Sequence, residues 1–134
     1  MNAALLVLTL AALAHHSHPL FYDQCTSVTI EGRIDSVQWK NPHALLDITT
    51  DDGKAYRAEW NPPRALEREN IMAPKAGERV VVVGNPMRDI AQIKASFPTL
   101  NLEPPAKPVL DVVRIRGVNW NWSRPQQSQP DCRK

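Results

Sequence analysis

Apolar and polar side chains alternate along Thr26–Lys40: Val28, Ile30 and Ile34 share one parity, and Val37 and Trp39 take the other. Alternation of this kind marks a half-buried strand. The change of parity predicts a bulge near Asp35 or Ser36, with Gly32 easing the bend, so that one long strand curls and serves two sides of a barrel. Asn41-Pro42 then ends the strand, because proline lacks the ladder donor and pushes the residue before it into an extended or turn conformation. Ala44, Leu46 and Ile48 alternate again, and Asp51-Asp52-Gly53-Lys54 carries the Asp-Gly hairpin signal before a return strand of Tyr56, Ala58 and Trp60.

Asn61-Pro62-Pro63-Arg64 sets an N-cap before proline at the first helical position, which predicts a short helix from Pro62 to about Asn70 carrying Leu66. Arg64, Glu67, Arg68 and Glu69 make its solvated face. Lys75-Ala76-Gly77-Glu78 is a turn, and the valine run from Arg79 to Gly84 reads as a strand buried on both faces. After Asn85-Pro86, the spacing of Ile90, Ile93 and Phe97 predicts a second short helix. Pro98–Pro108 is an extended proline-rich crossing, and Val109–Arg116 is the last strand. Five strands with a helix between the third and fourth define a mainly β, OB-fold-like barrel with one or two short helices. A small open β-sandwich is the alternative.

The chain's 134 residues hold one ordinary domain, which excludes large multidomain enzymes. Lys and Arg number 16 against 14 Asp and Glu, spread without a basic stripe, so nucleic acid is not an expected partner. Tyr56 and Trp60 on one face are the nearest approach to a base-stacking platform.

The ends of the chain carry an address. Ala3–Ala14 is an apolar run closing on the small-x-small pattern Ala12-Leu13-Ala14, which reads as a signal peptide over residues 1–14 and places the mature protein in the periplasm or outside the cell. The run is shorter than the roughly 20 residues a membrane span needs, so no transmembrane segment is expected after its removal. A His-rich segment follows at 15–25, then the barrel at 26–117 and a Trp/Pro-containing tail at 118–134, with Trp120 and Trp122 expected to cover one end of the barrel. In an oxidising compartment the two cysteines, Cys25 and Cys132, are expected to form a disulfide tying the ends together.

Histidine is the one chemical signal. All four lie in two places: His15, His16 and His18 at the expected mature N-terminus, and His43 in Trp39-Lys40-Asn41-Pro42-His43. A free α-amine on His15 chelates with its own imidazole, and further imidazoles complete a nitrogen-rich set that favours Cu(II), then Ni(II) and Zn(II). The eleven residues His15–Cys25 span about 36 Å when extended at roughly 3.3 Å per residue, enough to reach His43 along the first strand. The plainer roles are a polar leader for the first three and a strand-start residue bonded to the turn for His43.

Ala14-His15-His16-Ser17, Thr29-Ile30-Glu31-Gly32, Trp39-x-Asn41-Pro42-His43 and Glu59 together resemble an uncharacterised family of bacterial exported proteins whose mature chains begin His-His-Ser and carry Asn-Pro-His after the first strand. The resemblance spans most of residues 14–117. It implies a periplasmic or secreted OB-like barrel in which His15, His16, Asn41, Pro42 and His43 are the matched positions. The chain departs from the pattern at His18, where Phe is common, and in its Cys25/Cys132 pair and long proline-rich insert.

No G-x-S-x-G, phosphate loop, H-E-x-x-H or C-x-x-C is present, and Glu31, Asp35, Asp47 and Glu59 show no catalytic pairing, so no catalytic residues are assigned. A glycan or cell-envelope hydrolase would require such a pair, which leaves two functions ahead of it. One is a copper-binding periplasmic protein using His15, His16, His43 and His18. The other is a metal-free, non-enzymatic module for a partner protein or small ligand.

Overall fold

The computed structural model describes residues 18–115, 118–119 and 132. The segment read as a signal peptide, residues 1–14, lies outside the described residues, as do Trp120 and Trp122 with most of the tail. The elements run α1 (His18–Phe21), β1 (Val28–Gln38), β2 (Ala44–Thr50), β3 (Ala55–Trp60), α2 (Pro63–Arg68), β4 (Arg79–Pro86), α3 (Ile90–Ser96), β5 (Val109–Ile115) and β6 (Val118–Asn119).

Strands β1 to β5 close into a barrel. The hydrogen-bonded order is β3-β2-β1-β4-β5, and a parallel β3–β5 pairing joins the two ends. This is the OB-like arrangement, which leaves few open edges. β6 adds a two-residue antiparallel ladder to β5.

The expected bulge is present. Ile34 pairs with Ile48 and Ser36 with Asp47, so Asp35 is the extra residue. Ile30, Gly32 and Ile34 face inward before it, and Val37 packs against the core after it. Gly32 is needed for close approach, because a Cβ there would sit 2.2 Å from the Thr49 carbonyl oxygen. A second irregularity, where Gly84 pairs with Val112 and Val83 with Arg114, leaves Val113 extra and turns Ile115 inward after Leu110 and Val112.

Ala44, Leu46 and Ile48 are fully buried, and Gly53 takes a left-handed φ of 83° in the hairpin turn. Tyr56 and Trp60 share a face as expected, and that face is the interior. Trp39 meets Trp60 edge to face, 5.9 Å between ring centroids, and donates its Nε1–H to Glu67 on α2. Leu66 drops from α2 into the core with no exposed surface, a burial of the size that stabilises by about 1.5–3 kcal/mol.

Five sequence expectations need correction. The helix after β3 begins one residue later: Pro62 is the flanking residue (φ −55°, ψ 136°), Pro63 is the first helical one, and no side chain caps them. A proline disfavours helical geometry in the residue before it, so the Pro62-Pro63 pair decides the boundary. The helix also stops at Arg68, because Asn70 adopts a left-handed φ of 60° while Asn70 N–H donates to Glu67 O and Ile71 N–H to Leu66 O. That pairing satisfies the last carbonyls.

β4 is not buried on both faces. Val80 and Val82 point inward, whereas Val81 is 44% exposed, since the barrel interior lies on one side of the strand and no layer of the described residues covers Val81 from outside. β4 also continues through Asn85-Pro86, with Asn85 buried. In α3 only Ile93 is buried, and Phe97 is 44% exposed, being the flanking residue after the helix rather than part of its apolar stripe.

Candidate functional site

The segment after α1 lies as an arm on the barrel's outer surface. Tyr22 bridges Met87, Asp23 N–H donates to Pro86 O at 2.9 Å, and Arg88 N–H donates to Phe21 O at 2.8 Å. Asn85 Nδ2 donates to Thr26 O at 2.8 Å, and Arg88 Nε to Pro19 O at 3.2 Å. Asp23 accepts from Thr26 Oγ1 and Cys25 N, two bonds to its charged form that hold its carboxyl below the usual range. Cys25 and Cys132 are joined by a disulfide, as the sequence leads one to expect.

Beneath the arm runs a polar row. Asn85 on β4 and Glu59 on β3 both pair in register with Asp111 on β5. These positions alternate with the inward residues Ala58, Trp60, Leu110 and Val112, so they point outward. Asn85 is nevertheless 2% exposed and Asp111 8%, because the arm covers them.

Tyr22 is the link from the arm to this row. Its hydroxyl donates to Glu59 Oε2 at 2.6 Å. Burial, then the Glu59 charge and hydrogen bond, then the Asp111 charge push the phenol well above its ordinary value, so the hydroxyl keeps its proton and acts as a donor. The other oxygen of Glu59, Oε1, lies 3.5 Å from Nδ1 of His43. His43 stands at the mouth of β2, after a turn containing a cis Asn41-Pro42 bond. Both side chains are half-buried.

Of the residues singled out in the sequence, His43 and Glu59 are therefore neighbours, Asn41 and Pro42 shape the turn that delivers His43, and Trp39 packs on Trp60. His15 and His16 lie outside the described residues, and His18 opens α1. Among the described residues, no group of three or more His, Cys, Asp and Glu has an arrangement that could hold a metal ion. Tyr22, Asn85 and Asp111 escaped sequence reasoning. The one available signal is Phe21-Tyr22, an aromatic pair inside the His-rich segment.

Two further features stand apart from this site. Asp47 accepts a two-pronged bond from Arg57 at 2.8 and 3.0 Å and pairs with Lys107 at 3.2 Å, which ties the proline-rich crossing to the β2–β3 hairpin. A cavity of about 400 Å³ opens where β1 and β5 begin and β4 ends, walled largely by Val28, Tyr56, Pro86, Met87, Pro104 and Pro108. No helix among the described residues is long and apolar enough to cross a membrane.

The model of a family of unknown function, DUF6152, matches residues 4–94, a span that takes in the His-rich segment, the arm, strands β1–β4 and most of α3. No curated protein matches the chain.

Proposed function

The chain belongs to that family, and because membership brings no activity with it we propose, from the site itself, that the protein is an exported binder of a transition metal, chiefly Cu(II). His15, His16 and His43 supply the ligands, with His18 contributing less. The observation that carries this is the Tyr22–Glu59–His43 chain, which pins the segment directly following three histidines beside the fourth. Tyr22 lies six positions after His16, with the four residues of α1 between them, and at about 1.5 Å per helical and 3.3 Å per extended position the span is roughly 13 Å. The disulfide supports export, since such bonds persist in oxidising compartments.

The test uses protein recovered from the export compartment, its N-terminus sequenced. Cu(II) is expected to bind in stoichiometric amount with nitrogen hyperfine structure. His43→Ala weakens binding substantially, and one residue added before His15 weakens it too by removing the amine from the chelate. His18→Ala matters less. Equal affinity in wild type, His43→Ala and the extended form overturns the proposal. The apolar cavity where β1 and β5 begin favours a second function, a metal-free module for a small ligand, because barrel mouths of a few hundred Å³ are common ligand sites. That function takes first place if copper binding ignores His43.

A further inference from the structure

We propose that the cavity where β1 and β5 begin is the site of a small aromatic carboxylate, its ring lodged between Tyr56 and the prolines of the crossing and its carboxylate on Arg88. This rests on the second function above, independently of copper, and names the class of ligand.

The two ends of the barrel are finished differently. At one, Leu66 of α2 enters the core and Trp39 packs on Trp60. At the other, Tyr56 pairs with Ile48 and packs against the core, and it also walls the cavity of about 400 Å³. That volume falls in the lower part of the range of small-molecule sites, about 300–1,000 Å³, and suits one or two fused rings. Pro86, Pro104, Pro105 and Pro108 line it, each with φ fixed by its ring. The crossing that carries the last three is fastened where it ends. Arg57 N–H donates to Pro108 O at 2.9 Å, Met87 N–H to Val109 O at 2.9 Å, and Lys107 pairs with Asp47. Walls held in this way keep their shape without a ligand, which lowers the ordering cost of binding. A flat ring finds favourable partners there in the Tyr56 ring and the Met87 thioether.

Arg88 and Asp89 bring opposite charges to the same cavity, and their existing partners decide between them. Asp89 accepts from Ala91 N–H as the cap of α3, and Asp23, near enough to feel the Arg88 charge, is bound by Thr26 and Cys25 N–H. Arg88 donates Nε to Pro19 O, whereas its two terminal nitrogens meet no acceptor among the described residues. Those nitrogens offer donors in a planar fork that matches a carboxylate.

Three probes of one shape test the class: 2-naphthoate, the neutral 2-naphthylmethanol and the cationic 2-naphthylmethylamine, each titrated into the disulfide-intact protein and followed by methyl spectra. Naphthoate should shift the methyl signals of Val28, Met87, Ile90 and Val109 and bind about 10-fold more tightly than the alcohol, with the amine weakest. Arg88→Gln should bring naphthoate down to the affinity of the alcohol and leave the alcohol unchanged, and Arg88→Lys, which keeps the charge without the fork, should fall between. If Arg88→Gln does not fold, the order of the three probes on wild type decides alone. Shifts confined to other parts of the barrel, or none with any probe, overturn the cavity as a ligand site and the second function with it. Equal affinity for all three, preference for the amine, or an acid preference that survives in folded Arg88→Gln overturns the carboxylate class and leaves the cavity as a ligand site.

Discussion

Two polar clusters on the barrel's outer surface use similar side chains to opposite effect. Around Arg79, the guanidinium donates to Glu31 Oε1 at 3.0 Å and to Asp51 Oδ2 at 2.7 Å, joining β4, β1 and the hairpin turn. Those three side chains are 44%, 55% and 67% exposed. Arg79 holds the Asp51 carboxyl below its usual value, but water competes for each group and salt screens the charges. Under the arm, Tyr22, Asn85 and Asp111 are all buried, so a partner removed there is not replaced by solvent. Similar residue chemistry makes a replaceable surface pair in one place and a covered network in the other. Coverage by residues 18–26 is the difference.

The strongest challenge to that contrast is removal of the clamp. Cys25→Ala with Cys132→Ala opens a loop of sequence separation 107, which in the chain-entropy model costs up to about 4–5 kcal/mol. Urea unfolding with and without reductant measures it, and an unmoved midpoint would show that the arm needs no clamp. Tyr22→Phe comes next, at about 1.5–3 kcal/mol for a hydrogen bond to a charged acceptor. It also has a pH signature. The folded phenol resists ionisation while the unfolded one titrates near 10, so this stability is complete below pH 10 and declines as pH rises beyond it. Above pH 10 wild type should therefore lose stability faster than Tyr22→Phe, and parallel curves would remove Tyr22 from the network.

Asn85→Ala should cost about 1–3 kcal/mol by leaving the Thr26 carbonyl without its Nδ2 donor. In the cysteine-free variant this cost should shrink, because a looser arm lets water reach the carbonyl, and a double-mutant cycle reads that coupling. The smallest effect is expected from Arg79→Gln, which should lower the melting temperature only slightly in dilute buffer and not at all in concentrated salt. An Arg79 effect equal to that of Asn85 would erase the contrast between the two surfaces.

Much of the barrel could be read from residue order, because each step depends on neighbours in the chain. The parity change about Asp35 can be accommodated only by an extra residue in the strand, and Asp52-Gly53 supplies the left-handed turn position. Leu66 between two charged stretches has only one side to bury. Two cysteines in a chain with an export-like start leave one intramolecular pairing. His43 was visible as a candidate for the same reason, since the Asn-Pro turn places it at a strand mouth, whereas Glu59 stood out only through the family resemblance.

Alternation tells which side of a strand a residue faces and nothing of what lies against that side. Val81 and Asn85 sit two turns of the same alternation apart on β4, both outward, yet one is 44% exposed and the other 2%. The arm passes over the second and not the first. Whether Tyr22, 37 residues before Glu59, would meet it was likewise decided by barrel closure through β3 and β5 together with the return of the arm along β4. Local pattern is set by the backbone's own period and could be read directly. The covering of a polar row, and so the tie between the N-terminal arm and His43, comes from contacts between distant segments, whose free energy exists only once the barrel has closed.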